Sequence, residues 1–369
     1  MILHLLDDEK ITNSYIRNCE FLYPERNTYI CFVTNINNLR YIDTSLPNVI
    51  LYTNSTDFNI DLSKYRKVVI IGVAYEKIKF CNRYVKSASI DCSFVGADLY
   101  YLLACKGFRM ISIETYKVNF LMSVKFILSI IKFRFLHYHS IIRFLQERVN
   151  GVYAIEVDYN LLQKLFGNLN HLKRLESFAY PIDKVLSDDM LDSFADQDSN
   201  IILCGNSASY TNNHAYVFKI LKNLINSDAE LIVPFGYSNT LEAYRDSIHK
   251  MGREMFMEQY KPLTKFLPLD EYNKLLKSVR IAVFGHWRQE AMGNIIPLLY
   301  LGVKVYLSIK NPLLEEFKRL GYCIYCLEEA TLQSFYEKMT DEEVMNNRKI
   351  VLEFNSSDRL YRLMRQNLM

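Results

Sequence analysis

The sequence is poor in the residues that mark disordered and membrane-spanning chains. Glycine and proline contribute only 12 and 8 of its 369 residues, while half of all residues are hydrophobic, so the composition is that of a globular protein. No run reaches the roughly 18 uninterrupted apolar residues that a membrane-spanning helix needs. The nearest candidate, residues 118–136, is broken by Lys125, Lys132 and Arg134. The N-terminus lacks a basic segment and turns acidic at Asp7, which predicts a first core strand rather than a signal peptide.

Neither charge nor cysteine content favours a specialised class of protein. The formal net charge is +3, which is too balanced to predict binding to nucleic acid. The eight cysteines are scattered, mostly within apolar runs. The close pair Cys323 and Cys326 has no second such pair and no nearby histidine, so we expect reduced, buried thiols rather than a zinc or redox site.

Several catalytic signatures are absent as well. The sequence has no GxxxxGK[ST] phosphate loop, no GxGxxG dinucleotide fingerprint, no HExxH metal pair and no GxSxG nucleophile elbow. No Asp-x-Asp pair follows a predicted strand, so we expect neither a carboxylate-held metal nor another cofactor. A hydrolase is disfavoured because no nucleophile motif is present.

Short apolar runs alternate with helical stretches along both halves of the chain. Unbroken runs of Val, Ile and Tyr are typical of parallel strands that are covered on both faces. The pattern therefore predicts an α/β fold with parallel, doubly wound sheets. In the first half the predicted strands are Ile2–Leu6, Thr28–Val33, Val49–Tyr52, Val68–Val73, Ile90–Val95 and Gly151–Glu156, with helices such as Asp8–Cys19 and Tyr75–Val85 between some of them.

A polar stretch, residues 187–200, interrupts this alternation before a strand at residues 201–204 restarts it. Further strands are predicted at residues 231–233, 263–267 (a strand or a link), 281–284 and 303–307. The chain length fits two domains of ordinary size. We therefore predict domains 1–190 and 191–369, with the boundary inside residues 180–198.

Three turns of the second half each follow a predicted strand: residues 205–214, 234–238 and 285–294. The carboxyl ends of parallel strands share one edge, where open α/β sheets bind ligands, so the three turns should converge. In the first turn, backbone and side-chain donors of Asn206 and Ser207 could meet a diphosphate, although a plain turn with a helix cap explains it equally well. In the third turn, the guanidinium of Arg288 and the helix start near Gly293 could face a phosphate.

Two features of the first half each admit a structural and a functional interpretation. Asp98, in the segment GADLY, follows a predicted strand; local sequence favours a helix N-cap, and the alternative is a general base at the sheet edge. Residues 115–149 predict a long helix or a helix pair in which aromatic and aliphatic residues alternate with Lys and Arg. This composition fits an anionic membrane surface or a buried helix pair with a basic edge.

The stretch from GNS (Gly205–Ser207) through Arg288-Gln289, with GADLY (Gly96–Tyr100) upstream, resembles glycosyltransferase family 56, the bacterial 4-acetamido-fucosyl (Fuc4NAc) transferases, whose type member acts in enterobacterial common antigen synthesis. The similarity is collinear and strongest over residues 200–315. In the first half the matching residues are His4 and the segment Gly96–Tyr100. In the second half they are Gly205, Asn206, Ser207, Asn212, His214, Val233, Pro234, Gly236, Tyr237, Tyr272, Leu276, Arg288, Gln289, Gly293, Asn311 and Pro312.

The resemblance implies a GT-B architecture: two Rossmann-like domains facing across a cleft, the first for the acceptor and the second for the nucleotide sugar. It implies inverting, metal-independent transfer of a 4-acetamido-4,6-dideoxyhexose from dTDP to a polyprenyl-diphosphate-linked glycan in surface polysaccharide synthesis. The partners would be the donor, the lipid-linked acceptor and the inner face of the bacterial cell membrane, which implies a cytoplasmic, peripheral location. Whether the last helix packs against the first domain or against the second stays open at this point.

For the chemistry we expect Asp98 as the base, with His4 as the alternative, both at strand ends facing the cleft. Arg288 and the N–H groups near Gly293 and Asn294 would hold the leaving diphosphate. His214 is expected to hold its loop. The remaining predicted donor contacts are Gly205, Asn206, Ser207, Asn212, Gly236, Tyr237, Lys265, Phe266 and Gln289.

The chain departs from the family pattern beside these pockets. Ala208-Ser209 replace Gly-Asp, and Glu290-Ala291 replace Gln-Gly; Ser238 and Val95 replace a Pro and a Trp. These changes affect the expected sugar and nucleotide more than the transfer chemistry. A UDP- or GDP-sugar donor, or a non-catalytic nucleotide-binding or scaffold protein, therefore stays as an alternative.

Overall fold

The computed structural model describes residues 1–53, 61–177, 181–236 and 242–368. Within these ranges the strands are β1 (Ile2–Asp7), β2 (Asn27–Phe32), β3 (Val49–Tyr52), β4 (Lys67–Ile71), β5 (Ser89–Ser93), β6 (Val149–Tyr153), β7 (Lys173–Leu175), β8 (Ile201–Cys204), β9 (Glu230–Pro234), β10 (Tyr260–Leu263), β11 (Ile281–Phe284), β12 (Lys304–Leu307) and β13 (Tyr325–Cys326). The helices are α1 (Thr12–Leu22), α2 (Tyr75–Tyr84), α3 (Ala97–Ala104), α4 (Ile113–Val118), α5 (Phe120–Phe133), α6 (His139–Arg148), α7 (Glu156–Leu165), α8 (Asp188–Leu191), α9 (His214–Leu221), α10 (Glu242–Phe256), α11 (Leu269–Ser278), α12 (Met292–Leu301), α13 (Pro312–Arg319), α14 (Leu332–Tyr336), α15 (Asp341–Phe354) and α16 (Ser357–Leu368).

The chain divides into two compact units. The first comprises Met1–Gly107, Ile130–Phe178 and Leu360–Met369, and the second comprises Phe108–Ser129 and Ala179–Arg359. This division departs from a single boundary at residue 190 in three places, the first being that the main segment of the second unit already begins at residue 179. Residues 108–129 group with the second unit, and the last ten residues group with the first.

The first unit holds a parallel sheet with the strand order β3-β2-β1-β4-β5-β6-β7. All six strands predicted for the first half are present, and the one predicted at Gly151–Glu156 begins two residues earlier, at Val149. The edge strand β7 was not predicted, because its three residues, Lys-Arg-Leu, carry no apolar run. The strand order reverses between β1 and β4, and the carboxyl ends of strands at such a point are where doubly wound sheets bind ligands.

Helix α1 begins four residues later than predicted. The carboxylate of Asp8 accepts backbone N–H groups of Arg40, Tyr41 and Ile42 at 2.6, 2.8 and 2.9 Å. These bonds hold the residues after β1 in a turn. The helix therefore starts at Thr12, whose hydroxyl donates to the carbonyl of Asp7 at 2.7 Å.

The C-terminal helix α16 contributes to the core of the first unit. Leu360, Met364 and Leu368 pack in one cluster with residues of β1, β2 and α1. The ammonium of Lys67 also donates to the backbone carbonyl of Asn367. The end of the chain is thus part of the first unit's hydrophobic core.

The second unit holds a parallel sheet with the order β10-β9-β8-β11-β12-β13, which reverses between β8 and β11. The strand predicted at residues 263–267 lies instead at Tyr260–Leu263. It begins at Tyr260, which pairs with Leu231 of β9 and whose ring packs against Gly252, where an added Cβ would lie 2.4 Å from it. Pro262 is tolerated because β10 is an edge strand.

Residues 113–148 form three helices, α4, α5 and α6, and a π-helical turn, Arg134–Tyr138, joins α5 to α6. Helix α6 buries Ile141, Ile142, Phe144 and Leu145. Helix α5 and the π turn instead leave large apolar side chains exposed. Among the described residues, no helix is both long and apolar enough to cross a membrane. All eight cysteines are free thiols, with Cys323 partly exposed and the others buried.

Candidate active site

The loop after β8 is shaped around the side chain of Asn212. Its Oδ1 accepts the N–H of Asn206 at 2.9 Å, and its Nδ2 donates to the hydroxyl of Ser207 at 3.1 Å. Gly205 has φ +75°, and an added Cβ would lie 2.5 Å from that same Oδ1. Gly205, Ser207 and Asn212, all predicted donor contacts, therefore fix the course of this loop.

The loop after β11 lies directly against the loop after β8. An added Cβ on Gly285 would be 2.7 Å from the carbonyl of Asn212, and Asn213 Nδ2 donates to the carbonyl of Gly285 at 2.9 Å. His286 Nε2 lies 3.1 Å from Asn206 Oδ1. The first and third predicted turns thus meet at the point where the strand order reverses.

Arg288 is part of a charged network that joins the two loops. Its Nε donates to Glu290 Oε2 at 2.9 Å, and the hydroxyl of Thr211 donates to the same oxygen at 2.6 Å. The side chains of Arg288 and Glu290 are each 14% exposed. Burial by itself would raise the pKa of Glu290, but His286, Arg288 and the hydrogen bond from Thr211 together lower it.

Sequence reasoning missed Glu290 and Thr211 as members of this site. Glu290 had been noted only as a departure from the family pattern. The available signal was its charge, two residues after Arg288 in a turn at the edge of the sheet. Thr211 gave no comparable signal, because its partner is 79 residues away in the chain.

Helix α12 begins beside this network. Ala291 precedes it with φ +65°, a conformation that is unusual for a residue other than glycine. The first N–H groups of a helix have no intrahelical acceptor, and an added Cβ on Gly293 would meet nothing within 4 Å. The expectation for Asn294 was wrong: its N–H donates to the carbonyl of Ala291 at 2.8 Å, and its Oδ1 accepts the hydroxyl of Tyr272 at 2.7 Å. Gln289 is partly exposed in the same turn.

The third loop, after β9, follows the strand next to β8. An added Cβ on Gly236 would lie 2.3 Å from the carbonyl of Lys265, so only glycine lets these two segments approach so closely. Lys265 and Phe266 are exposed. Tyr237, predicted to contact the donor, lies outside the described residues.

Two buried histidines lie in the second unit near these loops. His214 begins α9, and its Nδ1 lies 3.1 Å from the hydroxyl of Tyr244. Burial lowers the pKa of His214 to about 3 and that of His286 to about 4. In the described ranges, His214 Nε2, His286 Nδ1 and Trp287 Nε1 are buried without a hydrogen-bond partner. Unsatisfied buried polar atoms are uncommon, and a water, an ion or a ligand can supply the partner of such an atom.

In the first unit, Asp98 is the second residue of α3, and the N-cap position is Gly96. Its Oδ2 accepts the N–H of Val73 at 2.7 Å, and its Oδ1 accepts those of Val95 and Leu99 at 3.0 and 2.9 Å. Burial raises the pKa of Asp98, although these three N–H groups and Lys77 act in the opposite direction. The partly exposed carboxylate therefore connects the loops after β4 and β5.

The placement predicted for His4 was wrong. It lies in the middle of β1 and is fully buried, with Nε2 3.1 Å from Asn27 Oδ1 and Nδ1 3.0 Å from the hydroxyl of Tyr15. Burial lowers its pKa to about 4. Strand β1 is a central strand covered on both faces, so a side chain at its midpoint enters the core. An imidazole in this position cannot reach an acceptor hydroxyl.

The structure adds a carboxylate that sequence reasoning did not consider. Asp7 ends β1 where the strand order reverses, and its side chain is 40% exposed. Its Oδ2 accepts a hydrogen bond at 2.6 Å from the fully buried ammonium of Lys77, which also donates to the carbonyl of Gly72 at 3.0 Å. No group of three or more His, Cys, Asp or Glu side chains suited to a metal ion occurs in the described part of the chain.

A family model described as 4-alpha-L-fucosyltransferase glycosyl transferase group 56 matches residues 128–356, more than half of the chain. The chain belongs to glycosyl transferase group 56. The match includes both loops that meet between β8 and β11, with Arg288 and Glu290.

The group 56 chain is also similar to solved structures along its whole length. HepE from Anabaena, in complex with UDP and glucose, has a TM-score of 0.63 at 10% identity, covering 100% of this chain and 99% of that one. Sucrose-phosphate synthase from Thermosynechococcus elongatus has a TM-score of 0.59 at 10% identity, with 99% and 98% covered. An alpha,alpha-trehalose-phosphate synthase from Burkholderia vietnamiensis has a TM-score of 0.59 at 8% identity, with 100% and 98% covered. These similarities confirm the predicted GT-B fold, and the family confirms a glycosyltransferase.

Proposed function

We propose that this glycosyltransferase moves a 4-acetamido-4,6-dideoxyhexose from a dTDP carrier to a polyprenyl-diphosphate-linked glycan, with inversion and without a metal cofactor. The observation that carries the donor site is the meeting of the two loops between β8 and β11. There Arg288, the start of α12 and the buried polar atoms of His286 and Trp287 lie at one sheet edge. The presence of UDP and glucose in the HepE structure supports a nucleotide-sugar donor.

The leaving diphosphate would be stabilised by Arg288 and by the first N–H groups of α12. A guanidinium and a helix N-terminus both favour phosphate oxygens. Asn206 and Gln289 would orient the phosphate or sugar. Lys265 and Phe266 would line the nucleotide base.

The acceptor hydroxyl would lose its proton to Asp98. An inverting displacement needs a base, and a carboxyl group whose pKa is raised by burial holds a proton better than an ordinary aspartate. Asp7 ends a strand of the same sheet, so an Asp98 variant is to be compared with the same variant of Asp7.

The lipid-linked acceptor would be met at the inner face of the cell membrane through what we call the α5 surface. It consists of Phe120, Leu121 and Leu128 on α5 and of Phe135 and Leu136 in the π turn. Phe120 and Phe135 are 75% and 80% exposed. Lys125 and Lys132 are exposed beside them, and residues 115–146 contain no Asp or Glu. Apolar and basic side chains together fit an anionic bilayer surface.

Calorimetric titration with dTDP, UDP, GDP and NAD, each with and without magnesium, tests the donor. We expect magnesium-independent binding of dTDP, followed by turnover of a dTDP-4-acetamido sugar. Preference for UDP or GDP would refute dTDP as the donor nucleotide but would still support a nucleotide-binding site. Failure to bind any nucleotide would refute the glycosyl-donor site and favour a scaffold protein.

A UDP-sugar is the second candidate donor. It is favoured by the HepE structures, which are described with UDP and with UDP-glucose. The same titration separates it from dTDP.

A further inference from the structure

A carboxylate lies beside the arginine that is proposed to bind the diphosphate. Glu290 Oε2 is 2.9 Å from Arg288 Nε, and both side chains are largely buried. Like charges repel more strongly where water is excluded. A carboxylate in this position therefore weakens diphosphate binding unless it contributes another contact to the ligand.

The chemistry of Glu290 restricts what that contact can be. Its pKa is lowered from the ordinary value despite burial, so the group is an ionised carboxylate near neutral pH. An ionised carboxylate accepts hydrogen bonds and donates none. It can therefore contact O–H or N–H groups of a ligand but not phosphate oxygens.

The contacts of the Glu290 carboxylate with the described residues are made by one of its two oxygens, Oε2. Thr211 and Arg288 both donate to Oε2, and His286 Nε2 is 3.9 Å from that same atom. In the residues that the structure describes, no hydrogen bond to Oε1 is found. Within these residues the carboxylate is thus held through Oε2.

We propose that Glu290 recognises the sugar ring next to the diphosphate, accepting a hydrogen bond from one of its O–H or N–H groups through Oε1 while Oε2 orients Arg288. The ligand class is a diphosphate bearing a sugar with a hydroxyl, amine or amide N–H. This inference rests on the proposed function, because it assumes a nucleotide-sugar donor. It makes Glu290 a specificity-determining residue.

Three kinds of ligand show which sugar ring Glu290 contacts: inorganic pyrophosphate, a nucleoside diphosphate and a nucleotide sugar. Pyrophosphate has no sugar, dTDP and UDP carry only the ribose-type ring, and dTDP-glucose and UDP-glucose add a hexose. The affinities of the wild type, Glu290→Gln and Glu290→Ala are measured for each by calorimetry. Glu329→Gln, at an exposed carboxylate of the second unit, controls for loss of one negative charge.

We expect Glu290→Gln to bind pyrophosphate as well as or better than the wild type, since a repulsive charge is removed. Its affinity for the nucleotide sugar should fall about tenfold, the scale of a hydrogen bond to a charged group. A loss confined to the nucleotide sugar identifies the hexose as the hydrogen-bond donor. A loss already complete with dTDP or UDP identifies the ribose-type ring.

An equal loss for pyrophosphate and the nucleotide sugar would overturn the proposal, because Glu290 would then act only by positioning Arg288. Unchanged nucleotide-sugar affinity in both variants would overturn it as well. Wild-type protein that binds no nucleotide or nucleotide sugar would refute the proposed function and this inference together. Wild-type binding that both variants retain would refute only the role of Glu290.

Discussion

Arg288 combines a permanent positive charge with a fixed orientation, because Glu290 holds its Nε. We expect Arg288→Ala to weaken binding of a nucleoside diphosphate about 10- to 100-fold, the range of a lost charged hydrogen bond at a buried site. Calorimetry measures this affinity. Arg253→Ala, at an exposed position of the same unit, is the matched control and should leave it unchanged. Equal affinities for the wild type and Arg288→Ala would exclude Arg288 from the donor site.

Asp98 accepts backbone N–H groups through both carboxylate oxygens, so asparagine keeps the shape of the side chain and the bonds to one oxygen but loses its basicity. We expect Asp98→Asn to lower the turnover number by about 10²- to 10⁴-fold, the usual contribution of a general base. Donor affinity, measured in parallel, should stay within about twofold. Asp7→Asn is assayed beside it. If Asp98→Asn retained turnover while Asp7→Asn lost it, Asp7 rather than Asp98 would be the base.

On the scale of the secondary-structure elements, α5 and α6 differ although they follow each other in the chain. Helix α6 buries four apolar residues, whereas α5 and the π turn expose residues of equal size. Each large apolar side chain that leaves water gains about 1.5–3 kcal/mol. Covering the α5 surface would therefore stabilise a complex with a binding partner.

We expect the wild-type protein to sediment with vesicles that contain anionic lipid, and less so as salt is raised. The double variant Phe120→Ser/Phe135→Ser should reduce the bound fraction at least about tenfold, because two interfacial aromatic side chains are lost. Leu352→Ser/Met345→Ser, at exposed apolar positions of α15, is the matched control and should bind as the wild type does. Equal binding by both double variants, or no binding by the wild type, would refute membrane contact through this surface.

For the molecule as a whole, the two units share one chain whose C-terminal residues return to the first unit. Met364 is buried in that unit's core, whereas Met345 is exposed on α15. Met364→Ala should therefore lower the free energy of unfolding by about 2–5 kcal/mol and Met345→Ala by less than about 0.5 kcal/mol. Chemical denaturation measures both changes. Similar values for the two variants would show that α16 does not stabilise the fold.

The stability of the whole protein should depend on buried histidines. His4, His214 and His286 are kept neutral by burial, with pKa values of about 4, 3 and 4 against an ordinary 6.5. Between pH 4 and 6.5 the unfolded chain binds more protons than the folded chain, so stability rises with pH and is lost on acidification. Each of these histidines should lower the free energy of unfolding by about 2 kcal/mol when the pH falls from 7 to 5.

Urea denaturation at the two pH values measures this loss. His4→Gln should reduce the difference between pH 7 and pH 5 by about 2 kcal/mol, whereas His139→Gln, at an exposed position, should leave it unchanged. A pH dependence that is the same in the wild type and in His4→Gln would contradict the assignment of a buried, neutral His4.

The sequence by itself determined the type of fold. Runs of Val, Ile and Tyr long enough for a strand and buried on both faces predicted β1 to β6, β8, β9, β11 and β12, and their alternation with helices predicted two parallel sheets. This is possible because burial on both faces is a local property of a few consecutive residues. The turns that follow β8 and β11 could be placed at one sheet edge because the carboxyl ends of parallel strands share that edge.

Only the tertiary structure decided which side chains meet. Glu290 with Thr211, Asp7 with Lys77, and His4 in the core all depend on strand order and on contacts between residues far apart in the chain. No local pattern encodes such contacts, since hydrophobic periodicity specifies which face of an element is buried but not what covers it. The short edge strand β7 was missed, and the proline-containing edge strand β10 was predicted too late in the chain, for a related reason. The position of each in the sheet comes from pairing with a neighbour, not from its own residues.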